Sequence, residues 1–310
     1  MFLMDKWCVI VNPKAAAWKT RKEWPKISRI LNSQGIDYVP FITQHKGHGI
    51  YLATQAIEKG FDSFIAIGGD GTVNEIVNAI MDHASDSLQM RIGMIPTGTG
   101  NDWEKSVGIP NDYVKACDVI KQGRTLVQDV GIVKYYEGNE KKKRYFVNVA
   151  GLGFDAVVTK KANDLSERPR GTFSYLLSLF TCLMKNKSLP VEVGLDGEKE
   201  KHLMFSMAVG IGKYNGGGMM QIPHAMIDDG ILSVTLVNNI SKLDIILHIK
   251  MLYNGTVTQH PKVDTYNVKS MTLRSLKEDR HVYLEVDGES LGHDPFEFDI
   301  IKRKLNVVVI

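Results

Sequence analysis

The segment from Phe64 to Ile80 constrains the fold of this chain more than any other. Phe64–Ile67 is a short apolar run that predicts a buried strand, and Gly68-Gly69-Asp70-Gly71 predicts a turn directly after it. Apolar residues then recur at helical spacing as far as Ile80, so a strand leads through a glycine turn into a helix. Glycine lets the backbone approach a ligand closely, and the amino end of the following helix favours a phosphate.

A second loop of the same kind follows in Arg91–Trp103. Its order is again strand, glycine turn and helix, with Asn101-Asp102 opening the helical segment and Thr99 or Asn101 available as the helix cap. Two glycine turns at neighbouring strand ends, each carrying an aspartate, indicate two walls of one nucleotide site.

Two better-known phosphate loops do not match the first turn. The Walker pattern ends in lysine and a hydroxyl residue, and no lysine follows Gly71; the dinucleotide pattern needs a third glycine where Asn74 stands. A turn that uses glycine only for its geometry is therefore the alternative. If phosphate does bind, the carboxylate of Asp70 indicates either a cation between the two groups or a proton to accept.

Composition limits the class of protein. The 310 residues are 44% hydrophobic with a net charge of +3, which fits a globular chain of two domains and gives no broad basic excess for nucleic acid. Cys8, Cys117 and Cys182 lack metal-ligand spacing, as in a reduced cytoplasmic protein. We find no signal peptide and no apolar run of about 20 residues, so any membrane contact is expected to be peripheral.

Hydrophobic periodicity divides the chain in two. Up to Lys121, strands and helices alternate, which predicts an α/β domain with a parallel sheet. From Leu126 on, short β-rich segments separated by turns predict a mostly antiparallel β-sandwich. These segments are Val127–Val133, Tyr145–Val149, Val191–Leu195, Leu203–Ile211, Leu232–Val237, Thr265–Leu273, Val282–Val286, Glu297–Ile300 and Leu305–Ile310. The expected domains are 1–128 and 129–299.

Four helices are expected outside the two glycine loops. They are Lys19–Leu31, Gly49–Lys59, Phe173–Met184 and Leu243–Leu252. The Phe173–Phe180 part is apolar and is flanked by cations, so it is either an interfacial membrane helix or a core helix. The flanking cations are Arg168, Arg170, Lys185 and Lys187. The basic run Lys141–Arg144 is either hairpin surface or an anionic-lipid contact.

Two acidic turns stand out in the second half. Asp287 and Glu289 flank Gly288, and this spacing can aim both carboxylates to the same side of a strand as a general base; a solvated hairpin tip is the alternative. Asp228-Asp229 offers oxygen ligands for Mg²⁺, or is a plain turn before a strand. His45 and His48 have no evident third ligand, and neither a Ser-His-Asp arrangement nor an H-E-x-x-H zinc motif is present.

Taken in order, several motifs resemble the superfamily of diacylglycerol, sphingosine, ceramide and NAD kinases, and most closely its bacterial lipid-kinase branch. The matching stretches span nearly the whole chain. They are Val11-Asn-Pro13, GGDGT at 68–72, PTGTGND at 96–102, Phe146–Asp155, Tyr214–Met219, Pro223–Leu232 and Val286-Asp-Gly-Glu289. The resemblance implies that segment 300–310 returns to the first domain.

The resemblance also implies site residues. ATP would be bound by Asn12, Pro13, Lys14, Thr43, Gly68, Gly69, Asp70, Gly71, Thr72, Asn74, Glu75 and Thr99. Asp287 and Glu289 would act as the base, with Asp70 as rival. A structural Mg²⁺ would be held by Asp229 with the carbonyls of Met226 and Ile231, and a catalytic Mg²⁺ near Asp70, Asp102 and Asp129.

The expected activity is ATP- and Mg²⁺-dependent phosphorylation of a lipid hydroxyl, on diacylglycerol or a sphingoid base. Met219-Met220 stand where the family often has an aromatic residue after the glycines, so the acceptor pocket differs there. An NAD kinase and a non-catalytic nucleotide or lipid sensor are the alternatives. The expected partners are ATP and a membrane lipid, which the protein would reach by transient peripheral contact with the membrane. Nucleic acid is not an expected partner, and a homodimer is a possible assembly.

Overall fold

The computed structural model describes residues 6–98, 100–166 and 180–310, without the side chains of 162–166. The chain forms two compact units. Unit 1 comprises the residues up to Val130 together with Lys302–Ile310, and unit 2 comprises Gly131–Ile301. The coarse fold prediction is confirmed, because unit 1 is α/β and unit 2 is rich in antiparallel strands.

Unit 1 begins with alternating strands and helices. The strands are β1 (Trp7–Val11), β2 (Tyr38–Ile42), β3 (Ser63–Gly68) and β4 (Arg91–Pro96). The helices are α1 (Ala15–Ser33), α2 (His48–Glu58), α3 (Asp70–His83), α4 (Asp102–Val107) and α5 (Tyr113–Gln122). Strands β1 and β3 are buried along their whole length, as continuous apolar runs covered on both faces require.

The four strands pair in parallel in the order β2–β1–β3–β4. Val11 lies opposite both Ile42 and Ile67, and Gly68 lies opposite Pro96. The carboxyl ends of all four strands therefore finish at one edge. Side chains from the sheet, α1 and α5 form the core of this unit, including Val9, Ile27, Ile65 and Ile120.

Unit 2 is built mainly from strands, and several of them are long. The remaining strands are β5 (Thr125–Glu137), β6 (Glu140–Phe146), β7 (Val149–Gly153), β8 (Leu189–Leu195), β9 (Glu198–Gly210), β10 (Tyr214–Asn215), β11 (Met219–Met220), β12 (Leu232–Asn238), β13 (Val263–Val268), β14 (Ser270–Ser275), β15 (Tyr283–Val286) and β16 (Glu289–Val308). Helices within the described residues of this unit include α6 (Phe154–Ser166), α7 (Lys242–His248) and α8 (Met251–Asn254).

Antiparallel pairing closes six of these strands into a ring, in the order β9–β7–β15–β16–β14–β8 and back to β9. Apolar side chains of these strands pack into one core, among them Leu284, Phe296 and Phe298. Strand β16 then continues into unit 1, where Asn306 and Val307 pair in parallel with β4.

Several element bounds differ from those expected. Helix α1 spans Ala15–Ser33, but Ala16, Ala17 and Trp18 have positive, non-helical φ angles, so its regular part begins at Lys19 as expected and ends two residues beyond Leu31. The expected helix Leu243–Leu252 is divided into α7 and α8, and the expected strand Thr265–Leu273 into β13 and β14. The last two expected strands are the single strand β16.

The expected helix Phe173–Met184 lies mostly outside the described residues, as do Arg168 and Arg170; residues 180–185 are helical. Within the ranges that the structure describes, no helix is both long and apolar enough to cross a membrane.

Candidate active site

The two glycine loops of unit 1 lie side by side at the carboxyl edge of the parallel strands. The N–H groups of Thr97 and Gly98 donate to the carbonyl of Gly68, at 2.9 and 3.0 Å. On the other side, the N–H of Asn12 donates to Ile67 and that of Thr43 to Val11, both at 2.9 Å. The chain segments that leave β1, β2, β3 and β4 are thus tied to one another.

Close backbone approach explains why glycine stands at position 98 of the second loop. A Cβ added at Gly98 would lie 2.7 Å from the Cα of Gly69, which is backbone and cannot move aside cheaply. A Cβ at Gly69 would meet Gly98 at 3.5 Å, an ordinary contact. Helix α3 begins immediately after Gly69, which has no side chain to cap it. Its first N–H groups therefore favour an anion from outside the helix.

Asp70 joins the first loop to helix α4. Its two carboxylate oxygens accept the N–H groups of Asp102 and Trp103, at 3.0 and 2.9 Å. Asn101, one of the two expected caps, makes no side-chain cap bond; its amide donates instead to the carbonyl of Gly98 at 3.1 Å. The other, Thr99, lies outside the described residues. The prediction is therefore corrected for Asn101 and untested for Thr99: Asp70, from the neighbouring loop, accepts the first N–H groups of α4.

A third carboxylate, Glu104, was missed by the sequence analysis. Glu104 is 4% exposed. Its Oε2 is buried and has no hydrogen-bond partner among the described residues. Burial, together with the nearby charges of Asp70 and Asp102, raises the pKa of Glu104 to about 7, although Lys105 opposes the shift. The available signal was its position, two residues after Asp102 in the first turn of a short helix.

The other expected nucleotide residues divide into two groups. Asn12 donates to the hydroxyl of Thr72 at 3.4 Å, and its oxygen accepts the N–H of Lys14 at 3.1 Å. Deeper in α3, the side-chain oxygen of Asn74 accepts a hydrogen bond from the Asn78 amide at 3.0 Å. Glu75 caps helix α2. Its carboxylate accepts the N–H groups of Gly47 and Gly49 at the start of α2, both at 2.7 Å.

A pocket of about 320 Å³ opens beside the β1 loop. It is mostly apolar, and its lining consists of Val11, Pro13, Trp18, Arg21, Trp24 and Ile42. The Trp18 ring is flanked by Lys14 at 5.8 Å and Arg21 at 5.9 Å. An aromatic face with nearby cations suits a flat, negatively charged ligand such as a nucleotide.

Two of the expected metal ligands, Asp129 and Asp229, differ in their exposure to solvent. Asp129 is fully buried in unit 1, where its Oδ1 accepts the N–H of Arg303 at 2.7 Å. Asp229 is exposed, and its Oδ1 accepts the N–H of Ile231 at 3.0 Å; the Met226 side chain is also exposed.

In unit 2, Asp287 and Gly288 form the two-residue turn between β15 and β16, with φ angles of 46° and 83°. The turn is not a solvated tip, because Asp287 is 4% exposed. Its carboxylate accepts three backbone N–H groups at 3.1 Å, from Val147, Asn148 and Val149. The expectation that Asp287 shares a strand face with Glu289 is therefore wrong, since only Glu289 is in a strand.

Glu285, also missed, lies beneath this turn. One carboxyl oxygen accepts from the Asn215 amide at 2.6 Å and the other from the N–H of Gly288 at 3.0 Å. Asn148 donates to the carbonyl of Tyr214 at 2.7 Å. Hydrogen bonds therefore connect the Asp287-Gly288 turn to the glycine loop that begins at Tyr214.

Burial gives this site an unusual charge state. Desolvation, with a further contribution from Asp155, raises the pKa of Glu285 to about 8 despite its two hydrogen bonds. Burial also raises the pKa of Asp155 to about 7. Because side chains alternate along a strand, Glu285 lies on the face of β15 opposite to Leu284. The sequence alone suggests that this face meets solvent. In the structure, helix α6 packs over it and buries Glu285.

Glu289 is the more accessible of the two predicted bases. Its side chain is 17% exposed, and a carboxylate oxygen lies 3.9 Å from the guanidinium of Arg144. His45 and His48 stack at 4.7 Å on the surface of unit 1 and belong to no cluster of three ligand-type side chains among the described residues.

Comparison with family models gives matches over both halves of the chain. Residues 6–133 match the diacylglycerol kinase catalytic domain, and residues 148–309 match the YegS C-terminal NAD kinase beta sandwich-like domain.

Individual relatives agree with these matches. A diacylglycerol kinase of Staphylococcus aureus is 30% identical over 96% of this chain and 90% of its own length. The crystal structure of a proposed diacylglycerol kinase from Bacillus anthracis superposes with a TM-score of 0.76 at 23% identity, covering 99% of this chain and 97% of that one. Yeast NADH kinase superposes with a TM-score of 0.54 at 11% identity, covering 98% and 83%. The chain belongs to the diacylglycerol kinase family of lipid kinases, which are phosphotransferases with an alcohol acceptor.

Proposed function

We propose that this protein transfers the γ-phosphate of ATP to the free hydroxyl of a membrane lipid, with diacylglycerol as the first acceptor to test and a sphingoid base as the second. The observation that carries the proposal is the pair of glycine loops at the carboxyl edge of four adjacent parallel strands, in a chain of this family. Ligands of open α/β sheets bind at such an edge.

In this proposal the phosphates bind at the start of α3, against Gly68, Gly69, Gly71 and Thr72. Asn12, Pro13, Lys14 and Thr43 complete the walls, and the pocket beside Trp18 receives the base. Thr99, outside the described residues, keeps the nucleotide-binding role that the family resemblance implies. Asn74 and Glu75 support the site indirectly, since their hydrogen bonds hold α3 and α2. Asp70 acts by fixing α4 against the first loop.

A divalent cation fits the acidic side chains of unit 1. Their donor atoms are all oxygens, which Mg²⁺ prefers, and the unpartnered Glu104 Oε2 is an available ligand atom. Asp102, Glu104 and Asp129 would hold the ion, which would offset the negative charge of the phosphates. Asp229, with the carbonyls of Met226 and Ile231, would hold a second, structural ion; its carboxylate accepts one N–H group, from Ile231, and keeps further lone pairs for the ion.

Glu289 is proposed as the group that accepts the proton of the lipid hydroxyl. Asp287 is the weaker candidate for this role because both of its oxygens already accept backbone N–H groups. Glu285 then acts as a support, since it accepts the N–H of Gly288 immediately before Glu289.

The membrane contact is proposed at helix α7. Leu243 and Leu247, one helical turn apart, are 66% and 67% exposed. Further exposed apolar side chains follow nearby at Ile246, Ile249 and Tyr253, together with the cation of Lys250. An apolar face beside a lysine suits shallow insertion among anionic headgroups.

The test is phosphate transfer from labelled ATP by the purified chain, with diacylglycerol, sphingosine and NAD offered separately, the lipids in mixed micelles. Labelled phosphatidic acid as the main product supports the proposal. Labelled NADP as the main product establishes the alternative of an NAD kinase, for which the yeast structure supports the fold alone. ATP binding without transfer to any acceptor establishes a sensor.

A further inference from the structure

Among the described residues of unit 2, two clusters of histidine and aspartate each bring three ligand-type side chains together. One consists of Asp244, His248 and His260, and the other of His281, His293 and Asp294. In each cluster the candidate ligand atoms all lie within 4.8 Å of one another. Neither cluster includes a residue of the candidate active site.

Hydrogen bonds argue against metal binding by the first cluster. The Nδ1 of His260 accepts the N–H of Lys262 at 3.1 Å, so the ring proton must be on Nε2. That Nε2 lies 3.5 Å from a carboxylate oxygen of Asp244. Both nitrogens of His260 are therefore engaged, and the ring offers no lone pair to an ion.

The second cluster has the opposite tautomer. The Nδ1 of His293 lies 2.7 Å from the carbonyl of Asp294, which only accepts, so Nδ1 carries the proton. The lone pair of His293 is then on Nε2. A backbone carbonyl that holds the far nitrogen of an imidazole is the usual support for a metal-ligating histidine.

The distances also suit an ion. The Nδ1 of His281 lies 3.5 Å from the Oδ1 of Asp294. Two tetrahedral ligands at zinc distances of about 2.0–2.1 Å are separated by about 3.3–3.4 Å. The ring centroids of His281 and His293 are 4.0 Å apart, and one ring nitrogen of each lies within 4.8 Å of the other and of a carboxylate oxygen of Asp294.

Asp294 supplies a fixed anchor. It is buried, and its oxygens accept the N–H groups of Val282 at 2.6 Å and Ser275 at 2.7 Å. Each carboxylate oxygen has two lone pairs, so these bonds orient the group without exhausting it. The two histidines are more exposed, which leaves the cluster accessible to an ion and to a water ligand.

We propose that His281, His293 and Asp294 bind one divalent transition-metal ion of the zinc class, with water completing a tetrahedral site. Two imidazoles and one carboxylate form a donor set that zinc uses and that Mg²⁺ does not favour. The ion would join the segment before β15 to strand β16. The proposal is independent of the phosphoryl-transfer activity.

The experiment is equilibrium dialysis of the chelator-treated full chain against zinc chloride with excess Mg²⁺. The expected result is one zinc per chain, with affinity at least about 10-fold lower in His281→Ala and in His293→Ala. His248→Ala is the matched control, an exposed histidine of the first cluster, and should bind zinc like the wild type. Cobalt in place of zinc should give tetrahedral absorption in the wild type and in His248→Ala alone.

Absence of zinc binding would overturn the proposal, as would displacement of zinc by Mg²⁺ or loss of binding in His248→Ala. Unchanged affinity in both cluster variants would also overturn it. Melting of the metal-free proteins controls for folding: His281→Ala replaces an exposed residue and should melt within about 1 °C of the wild type.

Discussion

At the scale of single residues, Glu285 illustrates how burial changes what a carboxyl group can do. Strand β15 and helix α6 remove it from water, so the group holds its proton up to a pH of about 8. The neighbouring Asp155 titrates at about 7 for the same reason. Ionisable groups in such a pair are coupled, and the charge of one disfavours the charge of the other.

This proton makes stability depend on pH with a definite sign. Above its ordinary pKa of 4.5 the carboxyl of Glu285 is ionised in the unfolded chain but remains protonated in the folded one until about 8. The folded state binds the extra proton, so stability falls as pH rises through this window, by at most about 1.4 kcal/mol per pH unit. In Glu285→Gln the decline in Tm between pH 5 and 8 should be shallower. Parallel Tm curves for variant and wild type would contradict the assignment.

Asp287 and Glu289 should respond differently to removal of charge. Asp287→Asn places an amide against backbone N–H donors and should lower Tm, at a cost of about 1–3 kcal/mol, as well as activity. Glu289→Gln should leave Tm nearly unchanged and lower kcat by at least about 10²-fold. Thermal melting and steady-state rates separate the two effects. An unchanged Tm in Asp287→Asn would show that its three hydrogen bonds contribute little.

The site could be predicted from sequence only where a local pattern positions it. The glycine loops follow apolar strands within a few residues, so their place at the sheet edge was predictable. The roles of Asp70 and Glu75 were not, because each caps a helix that begins elsewhere in the chain. Glu285 was missed because the helix that covers its strand face belongs to a distant segment.

At the scale of elements, the contact between the two glycine loops is the feature that positions α3 and α4. Gly98→Ala should lower Tm, because its Cβ would lie 2.7 Å from the Gly69 backbone. Gly69→Ala is the steric control, since its Cβ makes only an ordinary contact at 3.5 Å. Differential scanning fluorimetry without nucleotide compares the two. An equal fall in both variants would mean that loop packing is not the cause.

Element boundaries were predicted wrongly where the apolar pattern and the backbone differ in continuity. The apolar spacing of 243–252 runs across the break between α7 and α8, so it predicts one helix. The two expected segments of β16 look separate because Lys302, Arg303 and Lys304, which lie between them, are charged and exposed. Strand β16 nevertheless continues through them from unit 2 into unit 1.

At the scale of the whole molecule, a lipid kinase must contact the membrane that holds its substrate. Leu243→Gln with Leu247→Gln should weaken binding to anionic vesicles and raise the apparent KM for vesicle-borne diacylglycerol, because apolar area leaves the interface. The rate with a short-chain, water-soluble acceptor should not change. Leu88→Gln, at an exposed leucine of unit 1, is the control. Vesicle co-sedimentation equal to that of the wild type would reject α7 as the contact.

Family membership and the fold support a lipid kinase, and one rate comparison tests that claim most directly. Labelled ATP and diacylglycerol in mixed micelles are supplied to the wild type, to Glu289→Gln and to Glu297→Gln, whose glutamate is in the same strand but pairs with surface lysines. We predict labelled phosphatidic acid at equal rates from the wild type and Glu297→Gln, and a rate at least about 10²-fold lower from Glu289→Gln. No phosphatidic acid from the folded wild type would contradict the account.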